Sequence, residues 1–316
     1  MIAADRELKS HYLIAQCFFC RTKKEKGHCI NAMRLVGEGT FGKVYQVGKT
    51  AIKICQIDET CHQRELEICE VMKTNPHTNI VKIITTFVEL GNAHIVMEYV
   101  AHTLQTFLGR LTGAGLRMKL DIAKGILHGL ASALMFLRTL TIVHRDIKPS
   151  NILIRNNECK LCDFGSAKKL CDEANTTYIV TRFYRAPELI LDRYYSFAVD
   201  MWSFGCVAAE LTLGQPLFQG SDNVSQLCEI IRVIGITGDS LANMKGLQKL
   251  DCVSPSHKGV PWKRVLQVVH RGRACNVSYG RDYEQLLSDI LIWDSELRPK
   301  PNDILTHKFI AGPAGR

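Results

Sequence analysis

Residues 144–151 read HRDIKPSN, and the spacing of this octapeptide to two later motifs is the strongest indication of the fold. The tripeptide DFG begins at Asp163, twelve residues after Asn151. The tripeptide APE ends at Glu188, 25 residues after Asp163. A polar loop can carry any one of these motifs by chance, but three of them in this order indicate a single functional segment.

A glycine-rich run lies far upstream, where residues 37–44 read GEGTFGKV. Glycines allow a backbone to bend over a phosphate chain without a Cβ collision, and its amide groups can then point at the oxygens. In a dinucleotide-binding site a helix would follow the glycines, but residues 44–47 (VYQV) continue as a strand. The run therefore favours the protein-kinase type of nucleotide site.

Lys53 lies sixteen residues after Gly37, at the end of the run AIK in a predicted strand. A lysine in such an apolar strand is costly to bury unless a partner or an anionic ligand offsets its charge. Glu65, on a predicted helix twelve residues later, is the expected ion-pair partner. Glu67 is the alternative, but two positions further on it faces about 200° round the helix.

The hydrophobic pattern changes character near Tyr99. Short β-type runs fill most of residues 31–99, interrupted by one helical pattern at about 61–73, and helical patterns dominate afterwards. The sequence therefore predicts an α+β fold with a small β-rich lobe carrying one main helix and a larger, mainly helical lobe. The expected divisions are an N-terminal extension at 1–29, an N-lobe at 30–98 and a C-lobe at 99–316, with an activation segment at 163–188 and an insert at about 236–282.

The five motifs in this order resemble those of eukaryotic protein kinases, over about residues 31–312. Within that class the chain is similar to the CMGC group, and most closely to the glycogen synthase kinase-3 (shaggy) family. The closer resemblance rests on KLCDFGSAK at 160–168, YIVTRFYRAPELI at 178–190, LGQPLF at 213–218 and PWKRVL at 261–266. It implies a bilobal protein-kinase fold and an ATP-dependent protein serine/threonine kinase.

The resemblance also implies which residues bind ATP and Mg²⁺. Lys53, held by Glu65, would contact the α- and β-phosphates, and Asn151 and Asp163 would hold Mg²⁺. The full set expected at ATP is Val36, Gly37, Glu38, Gly39, Thr40, Phe41, Gly42, Val44, Ala51, Lys53, Met97, Glu98, Tyr99, Val100, Leu153, Cys162 and Asp163.

At the protein substrate, the resemblance assigns the chemistry to Asp146 and Lys148. Asp146 would orient the substrate hydroxyl and accept its proton, and Lys148 would stabilise the transferring phosphoryl group. A lysine at this position points to serine and threonine rather than tyrosine substrates.

Three basic residues from separate segments, Arg64, Arg145 and Lys168, would converge to bind a phosphate already present on the substrate. The implied preference is for Ser/Thr-x-x-x-phosphoSer/Thr, because three cations can supply several charge-assisted hydrogen bonds to one dianion. The alternative is that Arg145 and Arg64 merely pair with local carboxylates.

Two further expectations concern regulation and partners. Tyr178 aligns with a tyrosine that the family phosphorylates on its own activation loop, although a packed loop aromatic is the alternative. The insert at about 236–282 matches the place where family members dock scaffold proteins. Protein substrates, often phosphorylated beforehand, are the other expected partners.

Composition excludes several other classes. The 316 residues are 46% apolar, which is enough for a core, and no apolar run approaches the roughly 18 residues that a membrane helix needs. The net charge of +9 suits anionic ligands, but the basic residues are not interleaved with aromatics as in a nucleic-acid binder. Thirteen cysteines, an odd number, favour free thiols in a reducing compartment. A cytoplasmic location, or a nuclear one as well, is expected, with neither membrane nor nucleic acid as a partner.

Two other functions remain as alternatives. A pseudokinase scaffold would lack Lys53, Asp146, Asn151 or Asp163, and all four are present. Another CMGC kinase, of the cyclin-dependent or mitogen-activated type, would share the chemistry without requiring a primed substrate.

Overall fold

In a computed structural model of the protein, the described residues are 33–39, 42–56, 61–170, 181–191, 194–236, 257–270, 273–275 and 280–312. The predicted N-terminal extension and much of the predicted insert lie outside these ranges. The chain forms two compact units. The first contains the described residues within Met1–Asp58 together with Ile83–Tyr99, and the second contains those within Glu59–Lys82 and Val100–Arg316.

The first unit is a five-stranded antiparallel sheet with the strand order β1-β2-β3-β5-β4. Ile52 and Val96 form its buried cluster, packed by Val47, Ile54 and Phe87. Alternating apolar residues and tight glycine turns explain why this stretch forms hairpins. The strands are β1 (Arg34–Gly39), β2 (Gly42–Val47), β3 (Thr50–Gln56), β4 (Ile83–Glu89) and β5 (Asn92–Glu98).

The second unit is mainly helical. Its helices are α1 (Cys61–Thr74), α2 (Leu104–Gly113), α3 (Leu120–Thr139), α4 (Pro187–Ile190), α5 (Ala198–Leu213), α6 (Asn223–Ile234), α7 (Trp262–Val265), α8 (Arg281–Ile290), α9 (Pro301–Thr306) and α10 (Lys308–Ala311). Its short strands are β6 (His102–Thr103), β7 (Ile142–Val143), β8 (Ile152–Arg155), β9 (Glu158–Leu161), β10 (Lys168–Lys169), β11 (Val268–His270) and β12 (Arg273–Cys275). They pair as β6-β8-β9, β7-β10 and β11-β12.

The core of the second unit is built around α5 and α3. Every residue of α5 from Val199 to Leu213 is buried, so this helix is surrounded on all sides. α3 packs against α5, α9 and β9, and buries the stripe that its leucine spacing predicts. Among the described residues, α3 alone is long and apolar enough to cross a membrane, which differs from the expectation that no such run exists. Its packing within the unit accounts for its apolar face.

The segment before β4 differs from the prediction. The sequence pattern predicts a strand at 80–88, but the sheet strand begins at Ile83. Ile80 instead forms a parallel bridge with Leu161, and the Asn79 amide donates a 3.0 Å hydrogen bond to the Cys159 carbonyl. These bonds tie the segment after α1 to β9, and residues 59–82 accordingly group with the second unit rather than with the sheet.

Candidate active site

The glycine-rich run forms the β1–β2 hairpin, in which Gly37 pairs with Val44 and Gly39 with Gly42. Gly42 has φ 121°, and a Cβ there would lie 2.3 Å from the Ile54 carbonyl oxygen, so only glycine fits. Thr40 and Phe41, at the predicted tip, lie outside the described residues. Gly42 is therefore packed closely against β3, at the start of β2.

Lys53 lies in β3, between Val44 of β2 and Ile95 of β5, and is only 4% exposed. Ala51, two residues before Lys53 on β3, pairs with Met97 of β5. The predicted nucleotide-binding residues described in this unit are Val36, Gly37, Glu38 and Gly39 on β1, Gly42 and Val44 on β2, Ala51 and Lys53 on β3, Met97 and Glu98 on β5, and Tyr99 directly after it.

In the second unit, Glu65 lies on α1 and is 2% exposed, whereas the alternative Glu67 is exposed. The two glutamates thus differ in exposure, as expected if they face different sides of the helix, and the ion pair of Glu65 with Lys53 stays a prediction. The other predicted site residues of this unit are Arg64 on α1, Val100 shortly before β6, Asp146 and Lys148 in the loop after β7, Asn151 directly before β8, Leu153 on β8, Cys162 and Asp163 after β9, and Lys168 on β10.

Asp146 is the centre of the loop between β7 and β8. It is 4% exposed, and its Oδ2 lies 2.8 Å from the Lys148 ammonium group. The Asn151 amide donates hydrogen bonds to the same Oδ2 at 2.9 Å and to the Asp146 carbonyl at 2.8 Å. The structure thus brings together the three predicted side chains of this loop, with a fixed carboxylate between a cation and an amide.

Thr181 is a site residue that the sequence reasoning missed. Its hydroxyl donates to Asp146 Oδ1 at 3.1 Å and accepts from the Lys148 ammonium group at 2.7 Å. Thr181 therefore links the predicted base to the predicted phosphoryl-binding lysine. Only its place inside the motif YIVTRFYRAPE could have drawn attention to it.

Asp200, at the start of α5, holds the backbone of the loop between β7 and β8. Its carboxylate accepts hydrogen bonds from the backbone N–H groups of His144 at 2.7 Å and Arg145 at 2.8 Å. Arg145 has φ 65°, a left-handed conformation that an arginine adopts only with support. Burial raises the pKa of Asp200. The nearby His144 and the hydrogen bonds that the Asp200 carboxylate accepts oppose that rise.

The DFG motif begins beside Asn151. The Cys162 N–H donates to the Asn151 carbonyl at 2.9 Å, so the backbone directly before Asp163 is bonded to the backbone of Asn151. The side-chain nitrogen of Asn151 donates to Asp146, so the Oδ1 atom of Asn151 is the side-chain acceptor that a cation could contact. A carboxylate and an amide oxygen suit Mg²⁺, which takes its remaining ligands from phosphates and water. No cluster of three or more His, Cys, Asp or Glu side chains that could hold a metal occurs among the described residues.

Arg145 is buried, at 4% exposure, and its guanidinium forms two hydrogen bonds. Nε donates to the Ser166 carbonyl at 2.6 Å, and Nη1 donates to the Tyr195 hydroxyl at 2.8 Å. Within the described ranges its side chain forms no ion pair with a carboxylate. The alternative in which Arg145 pairs with a local carboxylate is therefore not what the described residues show.

Lys168 and Arg64 complete the predicted phosphate-binding set. Lys168 pairs through its backbone with Val143, two residues before Arg145, so the structure brings Lys168 and Arg145 into one local region. Arg64 is half-buried on α1, and its side chain forms no hydrogen bond or ion pair in the described part of the chain.

Two arginines follow the predicted phosphotyrosine. Tyr178 itself lies outside the described residues. Arg182 donates to the Ser221 carbonyl, and Arg185 Nη1 donates to Asn223 Oδ1 at 3.0 Å. Both arginines are thus directed towards the start of α6.

Comparisons with known proteins agree with this geometry. Residues 30–310 match the family model described as the protein kinase domain. The protein kinase gsk3 of Schizosaccharomyces pombe is 41% identical over 218 residues, a match that covers 64% of this chain and 56% of that protein. The chain thus matches only about half the length of this curated relative. These findings confirm the predicted α+β protein-kinase fold and the predicted resemblance to glycogen synthase kinase-3.

Proposed function

Because the chain belongs to the protein kinase domain family, we propose that it transfers the γ-phosphoryl group of ATP to serine and threonine side chains of protein substrates. The observation that carries this proposal is the environment of Asp146. One of its carboxylate oxygens contacts Lys148 and Asn151, and the other accepts from Thr181. Such a fixed carboxylate can orient a substrate hydroxyl and take its proton, which is the positioning that phosphoryl transfer needs.

The other residues of the second unit have complementary roles. Lys148 carries the positive charge that would offset the charge developing on the transferring phosphoryl group. Asn151 and Asp163 would hold Mg²⁺, which when bound neutralises charge on the phosphate oxygens. Asp200 keeps the loop backbone in place, so that Asp146 does not need to reorganise during the reaction.

In the first unit, the β1–β2 hairpin and Lys53 are the proposed contacts of the ATP phosphates. Gly39 is exposed on this hairpin and has no side chain that would obstruct a phosphate group. Lys53 is buried on β3, and its positive charge suits the negatively charged oxygens of a phosphate group. The backbone of Glu98 and Val100 is proposed to bind the adenine edge.

We further propose that substrates carry a phosphate four residues C-terminal to the target, bound by Arg64, Arg145 and Lys168. The supporting observation is a contrast between two buried arginines. Arg298 forms a bidentate ion pair with Glu188 at 2.6 and 2.8 Å, whereas Arg145 has only a carbonyl and a phenol oxygen as side-chain partners in the described chain. A buried guanidinium with no carboxylate among its side-chain partners in the described residues favours an anionic ligand.

Regulation, docking and location are proposed on the resemblance and the composition. Phosphorylation of Tyr178 would add charge that Arg182 and Arg185 can bind. Scaffold proteins would dock at the insert, where α7 exposes Lys263 and Arg264. The described cysteines Cys55, Cys69, Cys159, Cys162, Cys206 and Cys228 are free thiols, which supports a reducing compartment such as the cytoplasm.

The test is a Mg-ATP kinase assay on one serine peptide, made with and without phosphoserine four residues after the target. We expect transfer to both peptides, with a strong preference for the primed one, and loss of both activities in Asp146→Asn. The exposed Asp121→Asn substitution is the matched control. Equal use of the two peptides would contradict the proposed preference for primed substrates and favour another CMGC kinase. If the Tyr178-phosphorylated protein transferred no phosphoryl group to either peptide, the proposed kinase activity would be wrong.

A further inference from the structure

Tyr195 lies directly against Arg145. It is 2% exposed and is among the largest fully buried side chains of the described chain. Its hydroxyl accepts the 2.8 Å hydrogen bond from Arg145 Nη1, and the guanidinium carbon lies 5.9 Å from the ring centroid. Fifty positions separate the two residues in the sequence, and nothing in the motifs connects them.

The guanidinium of Arg145 is held at two of its nitrogens. The Ser166 carbonyl accepts from Nε and the Tyr195 hydroxyl accepts from Nη1, so both acceptors lie on buried residues. A planar group held at two points cannot rotate about its terminal torsions. The N–H groups not used by these two bonds are therefore presented in one fixed direction.

The backbone of Arg145 is held by the same short segment that contains Tyr195. Asp200, five residues after Tyr195, accepts the Arg145 backbone N–H at 2.8 Å. Residues 195–200 thus fix Arg145 both at its left-handed backbone and at the end of its side chain.

We propose that Tyr195 is a positioning residue for phosphate recognition, which orients the Arg145 guanidinium before a primed substrate binds. This inference rests on the proposed function, because it assumes that Arg145 binds the substrate phosphate. A guanidinium oriented in advance loses less conformational entropy when it binds an anion, so the hydroxyl of Tyr195 contributes to affinity without touching the phosphate.

The test is the substitution Tyr195→Phe, which keeps the ring and removes the hydroxyl. We expect KM for the primed peptide to rise roughly tenfold, as for a lost hydrogen bond to a charged group, while kcat and the KM for the unprimed peptide stay unchanged. The control is Tyr283→Phe, since Tyr283 is also buried and its hydroxyl donates to the Ala208 carbonyl, away from Arg145. Comparing melting temperatures of the two variants separates a general loss of stability from a local effect.

The outcomes distinguish the two proposals. If the wild-type enzyme prefers the primed peptide and Tyr195→Phe keeps the same KM, the positioning role is wrong and priming stands. If Tyr195→Phe weakens primed and unprimed peptides equally, its role is structural and the proposal is also wrong. If the wild-type enzyme shows no preference for the primed peptide, priming fails and the positioning role fails with it.

Discussion

The hydroxyl of Tyr184 donates a 2.7 Å hydrogen bond to Oε2 of Glu210, and both side chains are buried in the second unit. Glu210 belongs to the central helix α5, and Tyr184 belongs to the segment that precedes α4. Ser203, on the same helix, donates to the Tyr184 carbonyl at 2.8 Å. Tyr184 is thus attached to α5 through both its side chain and its backbone.

This pair predicts a pH-dependent stability. Burial raises the pKa of Glu210 from 4.5 to about 7, although the bond from Tyr184 partly opposes the shift. Because the pKa is higher in the folded than in the unfolded state, the stabilising contribution of the protonated group is complete below about pH 4.5 and is lost as the pH rises through about 7.

Between pH 5 and pH 8 we expect the wild type to lose roughly 2–3 kcal/mol of unfolding free energy relative to Glu210→Gln, because glutamine does not titrate. Denaturant unfolding at several pH values measures this difference. Glu296→Gln, at an exposed glutamate, is the control. A difference that is constant with pH would show that Glu210 does not titrate in this range.

Thr181 predicts a catalytic effect that separates kcat from KM. Thr181→Val removes the hydroxyl that links Lys148 to Asp146, so we expect kcat to fall by roughly 10- to 100-fold with little change in KM for ATP. Thr181→Ser keeps the hydroxyl and should retain most of the activity. Equal losses in the two variants would mean that the methyl group, and not the hydroxyl, is required.

Arg64 predicts a selective loss of primed substrates. We expect Arg64→Ala to raise KM for the primed peptide by roughly tenfold and to leave the unprimed peptide unaffected, because one charge-assisted contact to the phosphate is removed. Steady-state kinetics with both peptides tests this, and Arg281→Ala, at an exposed arginine on α8, is the control. A parallel loss on both peptides would exclude Arg64 from phosphate recognition.

The ion pair between Arg298 and Glu188 predicts a large effect on stability. The Arg298 side chain is fully buried, so Arg298→Met leaves Glu188 without its partner and should reduce the unfolding free energy by about 3–5 kcal/mol. Arg232→Met is the matched control, since Arg232 lies 2.6 Å from Glu229 but is exposed, and we expect a loss below about 1 kcal/mol there. Similar losses in both variants would contradict the role of burial.

Sequence patterns were sufficient to predict the fold class and the side chains that meet in the loop between β7 and β8. Local patterns were sufficient for this, because hydrophobic periodicity marks strands and helices, and Asp146, Lys148 and Asn151 lie within six residues of one another. The same locality explains why helical spacing separates Glu65 from Glu67, of which the first is buried and the second exposed.

The contacts between distant segments could not be predicted from sequence patterns and depend on how the elements pack. Thr181 meets Asp146 across 35 positions, Tyr195 meets Arg145 across 50, and Ile80 pairs with Leu161 instead of extending β4. Periodicity reports which face of an element is buried, but not which other element covers it. The partners of a buried hydroxyl or guanidinium are therefore set by the packing of the whole unit.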